Sequence, residues 1–317
     1  MREKLAAGES LLISGPPHIG KSSLVWQAAR GLDNFLLSYA EFTPGPAWET
    51  EMLGDLLDGL VRDGSRKFLR TEWPFDPATV RSTVHSMTDF AGTVHRMGEA
   101  ISLVTSRPRM ALLVDGLNEA TIDWWLQLVA ACAGQTGLQF GLVGVVESAF
   151  VLSNRGQQTA GGGPRSVVAP FSLNAALEMT GAMADQAGIG LDGDAARALV
   201  EASGGHPFLL RRLFGAAQLE ADAQRRRAEA SEAAIDSVSV AAGIHRHVAA
   251  NPIYACWWAA FSPAEQRAVL VLGEGGGNID PGAASRLVAL GWLRSEGNGY
   301  RLAADVFHVW LEWMGLL

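Results

Sequence analysis

Gly15-Pro16-Pro17-His18-Ile19-Gly20-Lys21-Ser22 is the stretch of this chain whose residue types and spacing could do chemistry. It fits G-x-x-x-x-G-K-[ST] without a gap. To wrap a phosphate, successive backbone N–H groups must turn inward, and glycines supply conformations closed to other residues. A helix starting at the loop points its partial positive charge at the same anion. The expected cradle runs from Gly15 to Ser23. In it Lys21 reaches the β- and γ-phosphates, the Ser22 hydroxyl ligates Mg²⁺, and the His18 side chain is a solvent-facing filler.

A second chemical feature is MALLVDGLNEA. Asp115 follows the apolar run Met110–Val114, at the end where a parallel sheet presents ligand-binding groups. There it can hold the hydration shell of the same Mg²⁺; as a plain Asp-Gly turn it would only end the strand. Glu119, beyond Gly116-Leu117-Asn118, is a candidate general base for an attacking water, or a dipole-favoured glutamate at a helix start.

The elements around these residues follow from periodicity. Leu11–Ser14 is a short apolar strand, and the helix after the loop carries Leu24, Val25, Ala28 and Ala29 on one face. Phe35–Tyr39 reads as a second strand, and residues 48–106 as helix interrupted at Trp73–Pro77. A strand at 110–114, a helix at about 121–133, a strand at Phe140–Val146 and a last strand at Val167-Val168 complete an alternating order. That order predicts a parallel sheet with right-handed crossovers. From Ser172 onward strand signals disappear in favour of helices at 173–187, 193–203 and 207–230, and 221–234 reads as a solvated helix. The tail reads helix 263–273, helix 282–290, strand 292–294, strand 300–302 and a Trp-rich helix. Helix, helix, then a hairpin with Gly-Asn-Gly at its tip predicts a winged helix-turn-helix.

Composition bounds the rest. The chain has 317 residues, 48% apolar and 18% charged, which suits a large core and excludes a disordered chain. A net charge of −8 gives no bulk attraction to nucleic acid or anionic lipid. Of 25 basic residues only Lys4, Lys21 and Lys67 are lysines, so one of three lysines falls in the phosphate loop. Cys132 and Cys256 are expected as buried free thiols of a reducing cytoplasm. Residues 124–146 carry no charge, but four glycines and several polar residues make them a helix, turn and strand rather than a membrane span. The N-terminus lacks the apolar run of a signal peptide.

Taken together, GPPHIGKSS at 15–23, LLVDGLNEA at 112–120, ESAF at 147–150, APFSL at 169–173 and SGGHPFLLRRL at 203–213 resemble the STAND branch of AAA+-like P-loop ATPases. NACHT-type and origin-recognition-like proteins are among its members. The resemblance covers nearly the whole chain. It implies a P-loop NTPase core at 1–171, a helical lid at 172–250 and a winged helix at 251–317, with ATP and Mg²⁺ as ligands. It also implies that Ser148 (or Glu147) senses the γ-phosphate, and that Arg165, or less well placed Arg155, acts on a neighbouring subunit's nucleotide. Gly205-His206-Pro207 matches the lid element that closes on the nucleotide, although a proline in a first helical turn needs no further reason.

The sequence departs from the family in two ways. Relatives often carry the glutamate directly after the aspartate, where this chain has Gly116, so either Glu119 takes over or hydrolysis is slow. The sequence also starts shortly before the loop and has no room for effector or sensor domains. The expected function is therefore a slowly hydrolysing, cytoplasmic ATP switch, plausible in a defence or regulatory system. It would signal to partner proteins through closure or oligomerisation. The alternative is a DNA-associated loader using the winged helix. Between Ser262 and Leu317 four arginines face six acidic residues, a net of −2, and the second helix offers only Arg286. DNA readers usually neutralise several phosphates, so this favours a protein-facing winged helix. Trp257, Trp258, Trp292, Trp310 and Trp313 serve either core packing or a partner surface. Arg211, Arg212 and Arg225–Arg227 are the better DNA candidates, or a solvated face.

Overall fold

Leu11–Ser14 (β1), Leu36–Glu41 (β2), Arg109–Leu117 (β3), Gln139–Val146 (β4) and Arg165–Val167 (β5) form one parallel sheet, in the order β2-β3-β4-β1-β5, in the computed structural model. The structure describes residues 1–30, 32, 35–68, 73–103, 109–118, 121–133, 139–146, 165–228, 234–297 and 299–317. The chain divides into two compact units, Met1–Val168 and Ala169–Leu317.

Both faces of the sheet are covered, which is why β3 reads as an unbroken apolar run. Met110, Leu112 and Val114 face one core; Ala111 and Leu113 face the other. Helices Trp48–Lys67 (α3), Met87–Ser102 (α5) and Ile122–Ala133 (α6) build the first core. α3 contributes Met52, Leu53, Leu56, Leu57, Leu60 and Val61 at helical spacing. The second core lies under Arg2–Ala6 (α1) and Lys21–Ala29 (α2). A short helix, Pro77–Ser82 (α4), starts at Asp76, which caps it by accepting from the Thr79 N–H. Lys67 closes the end of α3. It pairs with Asp63 and donates to the Phe35 carbonyl, while Asp63 accepts from the Leu37 N–H, so two charged residues staple α3 to the start of β2.

The second unit has one core of its own. Helices Leu173–Ala187 (α7), Gly193–Ser203 (α8), Pro207–Ala228 (α9) and Ser237–Ala250 (α10) share it with Ile253–Ala260 (α11), Pro263–Gly273 (α12), Pro281–Ala289 (α13) and Asp305–Trp313 (α14). The antiparallel hairpin Leu293–Glu296 (β8) and Gly299–Leu302 (β9) completes it. Ser262 and Glu265 form a reciprocal capping box at α12, and Asp280 caps α13. Trp257, Trp292 and Trp310 are buried in this core, Trp258 packs at its margin, and Trp313 is 58% exposed.

Several sequence expectations need correction. Leu24 is 43% exposed, because α2 is held through Lys21, Val25, Ala28 and Ala29 alone. β3 runs past Val114 to Leu117, and β5 starts at Arg165 rather than Val167. Strands do not end at Ser172: Gly190–Leu191 (β6) pairs in parallel with Ala234–Ile235 (β7), so Ala234 is not helical. Periodicity missed β6 and β7 because two-residue strands have no period. Cys132 is buried, but Cys256 is exposed on α11. Among the described residues no helix is long and apolar enough to cross a membrane.

Gly204 and Gly205 show what backbone packing demands in this unit. Both are left-handed, with φ of +62° and +74°. A Cβ on Gly204 would sit 2.3 Å from the Ala303 carbonyl oxygen, and one on Gly205 would sit 2.5 Å from that of Phe171. Gly204→Ala is expected to lower the unfolding free energy of this unit by about 3 kcal/mol, from backbone strain plus a clash that backbone cannot relieve. Urea denaturation followed by tryptophan fluorescence checks it; an unchanged midpoint contradicts the close approach.

Candidate nucleotide site

The loop after β1 is built by its backbone. Ser14 is buried at the strand end and its carbonyl accepts from the Val168 N–H at 2.8 Å, tying β1 to the segment after β5. Gly15 then passes so close that a Cβ would lie 2.6 Å from the Val168 carbonyl oxygen. Ile19 is 3% exposed and anchors the loop to the protein. Either side of it, His18 (φ +60°) and Gly20 (φ +95°) adopt left-handed conformations. His18 has the only positive φ of any non-glycine among the described residues. Its side chain is exposed, as a filler's should be. Its imidazole pKa is lowered, first by desolvation and then by the Lys21 charge.

Gly20 is the N-cap of α2, and no side chain caps that end. Leu24 makes the first intrahelical bond, to the Gly20 carbonyl. The N–H groups of Lys21, Ser22 and Ser23 therefore stand in the first turn, where no helical carbonyl reaches them. Above Gly20 the space is open: a Cβ there would meet nothing within 4 Å. Lys21 is 8% exposed, and its ammonium lies over the loop, donating to the carbonyls of Gly15 (3.1 Å) and Pro16 (2.8 Å). Turned backbone donors, an uncapped helix start, open space and a desolvated cation together fit the phosphates of a nucleotide.

Asp115 lies on the same sheet edge. β4 separates β1 from β3, so loop and aspartate leave the sheet two strand spacings apart, about 10 Å. A serine hydroxyl (Ser22) on one side of that gap and a carboxylate (Asp115) on the other are the donor types that could hold a hydrated Mg²⁺. The β3–β4 register shifts between Val114 and Leu117, a bulge of the kind that re-aims a side chain beside a site. The Asp115 Oδ1 accepts from the Gly116 N–H at 2.8 Å, and Oδ2 accepts from the Tyr39 hydroxyl at 3.2 Å. Glu41 shares the Tyr39 face of β2 two residues on, and the Tyr39 ring tilts against Trp26 with centroids 5.1 Å apart. Burial, then the charges of Asp115 and Glu41, push the phenol pKa well above its usual value, which keeps it a donor.

From sequence, Tyr39 stood only as the expected end of the second strand, which in fact runs on to Glu41, and neither residue was a site candidate. The signal was available: Glu41 ends the second strand in the way Asp115 lies at the end of the third, and Tyr39 shares its face two residues earlier. Of the other candidates, Glu119, Glu147, Ser148 and Arg155 lie outside the described residues. Arg165 opens β5 opposite Leu12, with its side chain outside the description. His206 and Pro207 stand in the second unit. His206 is 5% exposed with its ring 5.9 Å from that of Trp257, and Pro207 is the first residue of α9.

No known protein-family profile matches the sequence, and no curated protein does. Solved structures do match. A Walker-type ATPase of Pyrococcus abyssi superposes over 98% of this chain and 93% of its own with a TM-score of 0.64 at 12% identity. The RuvB Holliday junction branch migration motor of Thermotoga maritima covers 99% and 93% at 14% identity, with a TM-score of 0.48. The ORC1 protein of Aeropyrum pernix, solved in complex with DNA, covers 100% and 92% at 15% identity, also at 0.48. The last two scores are too low to carry weight, and 12% identity speaks for fold alone. With its strand order, its loop between β1 and α2 and that superposition, the chain has the AAA+ P-loop NTPase fold.

Proposed function

We propose that the protein binds ATP with Mg²⁺ on the Gly15–Ser23 loop and hydrolyses it slowly, as a nucleotide-dependent switch of the STAND type. The observation that carries this reading is the loop itself: an uncapped α2 start beneath left-handed His18 and Gly20, with Lys21 desolvated over it. When bound, Mg²⁺ would neutralise charge that develops on the phosphates. Ser22 and Asp115 would hold it. Lys21 would move from the Gly15 and Pro16 carbonyls to the phosphates. Ser148 is proposed from its sequence position as a γ-phosphate-sensing group, Glu119 as one candidate for the carboxylate that polarises water, and Arg165 as a group acting on a neighbouring copy in a homo-oligomer. Residues 172–250 are proposed as the lid, carrying the Gly205-His206-Pro207 element, and 251–317 as the winged helix.

Protein partners fit the second unit better than DNA. Arg286, the one basic side chain of α13, is engaged by Glu265 at 3.0 Å. Arg246 pairs with Glu220, and Arg225 lies 3.9 Å from Asp222, so acidic partners offset part of the arginine-rich face. The test is calorimetric titration of the intact chain with ATP, with and without Mg²⁺, alongside duplex DNA binding at two salt concentrations. Saturable, Mg²⁺-enhanced ATP binding without salt-dependent DNA binding is expected. Absence of nucleotide binding sinks the switch, and salt-sensitive DNA affinity moves the reading to a loader.

A further inference from the structure

The loop and Asp115 account for phosphate and metal, but neither takes a proton from water. The position after Asp115 is closed to a carboxylate. Gly116 is left-handed at φ +78°, and a Cβ there would press on the Phe42 Cβ at 3.3 Å. Among the described residues, the neighbouring strand places a carboxylate in register with Asp115. Glu41 is the last residue of β2, is exposed, and is in parallel register with Asp115. Registered residues of adjacent parallel strands share a face of the sheet. Just beyond, the Phe42 N–H donates to the Asp115 carbonyl at 2.9 Å and locks the two strand ends together.

Tyr39 joins the pair. Its hydroxyl donates to Asp115 Oδ2 at 3.2 Å, and Glu41, two residues further along the same face of β2, puts its charge beside the phenol. One phenol proton serves one carboxylate at a time, so the other keeps its acceptor sites for water. Trp26 backs the ring and limits its movement.

We propose that Glu41 is the catalytic carboxylate of this site, orienting the attacking water and accepting its proton, with Tyr39 as the positioning residue that holds Glu41 beside Asp115. This rests on the reading of the site as a nucleoside triphosphatase. The water oxygen bonds to the γ-phosphorus. The bond from that phosphorus to the bridging oxygen breaks, and its electron pair leaves on the diphosphate. The water proton passes to Glu41 and then to the released phosphate.

The experiment uses the intact chain with Mg²⁺ and ATP. Glu41→Gln is expected to slow hydrolysis on the order of 100-fold while ATP affinity stays within about threefold. Nucleotide recovered from the denatured variant complex should then be ATP, where the wild type yields ADP. Tyr39→Phe is expected to lower kcat about tenfold with KM unchanged, because it loosens Glu41 without touching the phosphates. Glu41→Gln hydrolysing within threefold of wild type overturns the proposal, as does loss of ATP affinity in parallel with rate. A hundredfold loss confined to Glu119→Gln assigns the proton to Glu119 and overturns it too. If the wild type binds no ATP, the nucleotidase reading itself has failed, and that result cannot be confused with the others.

Discussion

Lys21→Met abolishes tight ATP binding, raising Kd by at least about 100-fold, or about 2.7 kcal/mol. The size follows from where the charge sits. Lys21 is 8% exposed, and its ammonium is already stripped of most water, with the Gly15 and Pro16 carbonyls as substitutes. Moving such a cation onto a polyphosphate costs little further desolvation and gains charge-assisted hydrogen bonds in a weakly screened setting. Methionine keeps the stem that packs at the start of α2, so the melting temperature should hold while binding is lost. Calorimetric titration and a thermal melt on the same preparation separate the two. Retained affinity in a well-folded variant means that the loop does not hold the phosphates.

Asp115→Asn removes the Mg²⁺ dependence of nucleotide binding. In the wild type Mg²⁺ should tighten ATP; in the variant that gain should shrink by about 30-fold. Metal-free affinity should stay level or rise, because a carboxylate near a polyphosphate repels it and its removal relieves that repulsion. Asparagine keeps the shape and one acceptor: its Oδ1 can still take the Gly116 N–H, while its amide NH2 faces the Tyr39 hydroxyl, which can turn to accept, so the bulge should survive. ATP titrations with and without Mg²⁺ give the four affinities needed. Unchanged Mg²⁺ dependence removes Asp115 from the metal site.

Much of the site was legible because its demands are local. A phosphate loop needs particular backbone conformations within a few residues, and those select glycines at fixed spacing. The strand before it and the helix after it announce themselves by apolar runs. β3 was readable as a doubly covered strand for the same reason, and its aspartate sat where parallel sheets present ligands. Even the scarce lysines became informative, since Lys21 lies in the loop and Lys67 staples α3 to β2.

What the sequence could not convey is what lies across a gap in the chain. Strand order puts β4 between β1 and β3, and nothing local states it. Register brings Glu41 level with Asp115, and the bulge at Gly116 decides which carboxylate has room beside it. Gly204 and Gly205 read as punctuation between helices, and only the fold shows their close backbone approach to Ala303 and Phe171. Arg286 was legible as the one basic side chain of its helix, but not its pairing with Glu265, 21 residues away. Residue type and spacing by themselves determined the loop, the aspartate near the end of β3 and the alternation of the core, because those rest on short-range backbone conformation and periodic burial. Tertiary structure alone decided which carboxylates stand together and which arginines are already paired, because hydrogen bonds and charges act through space between residues far apart in sequence.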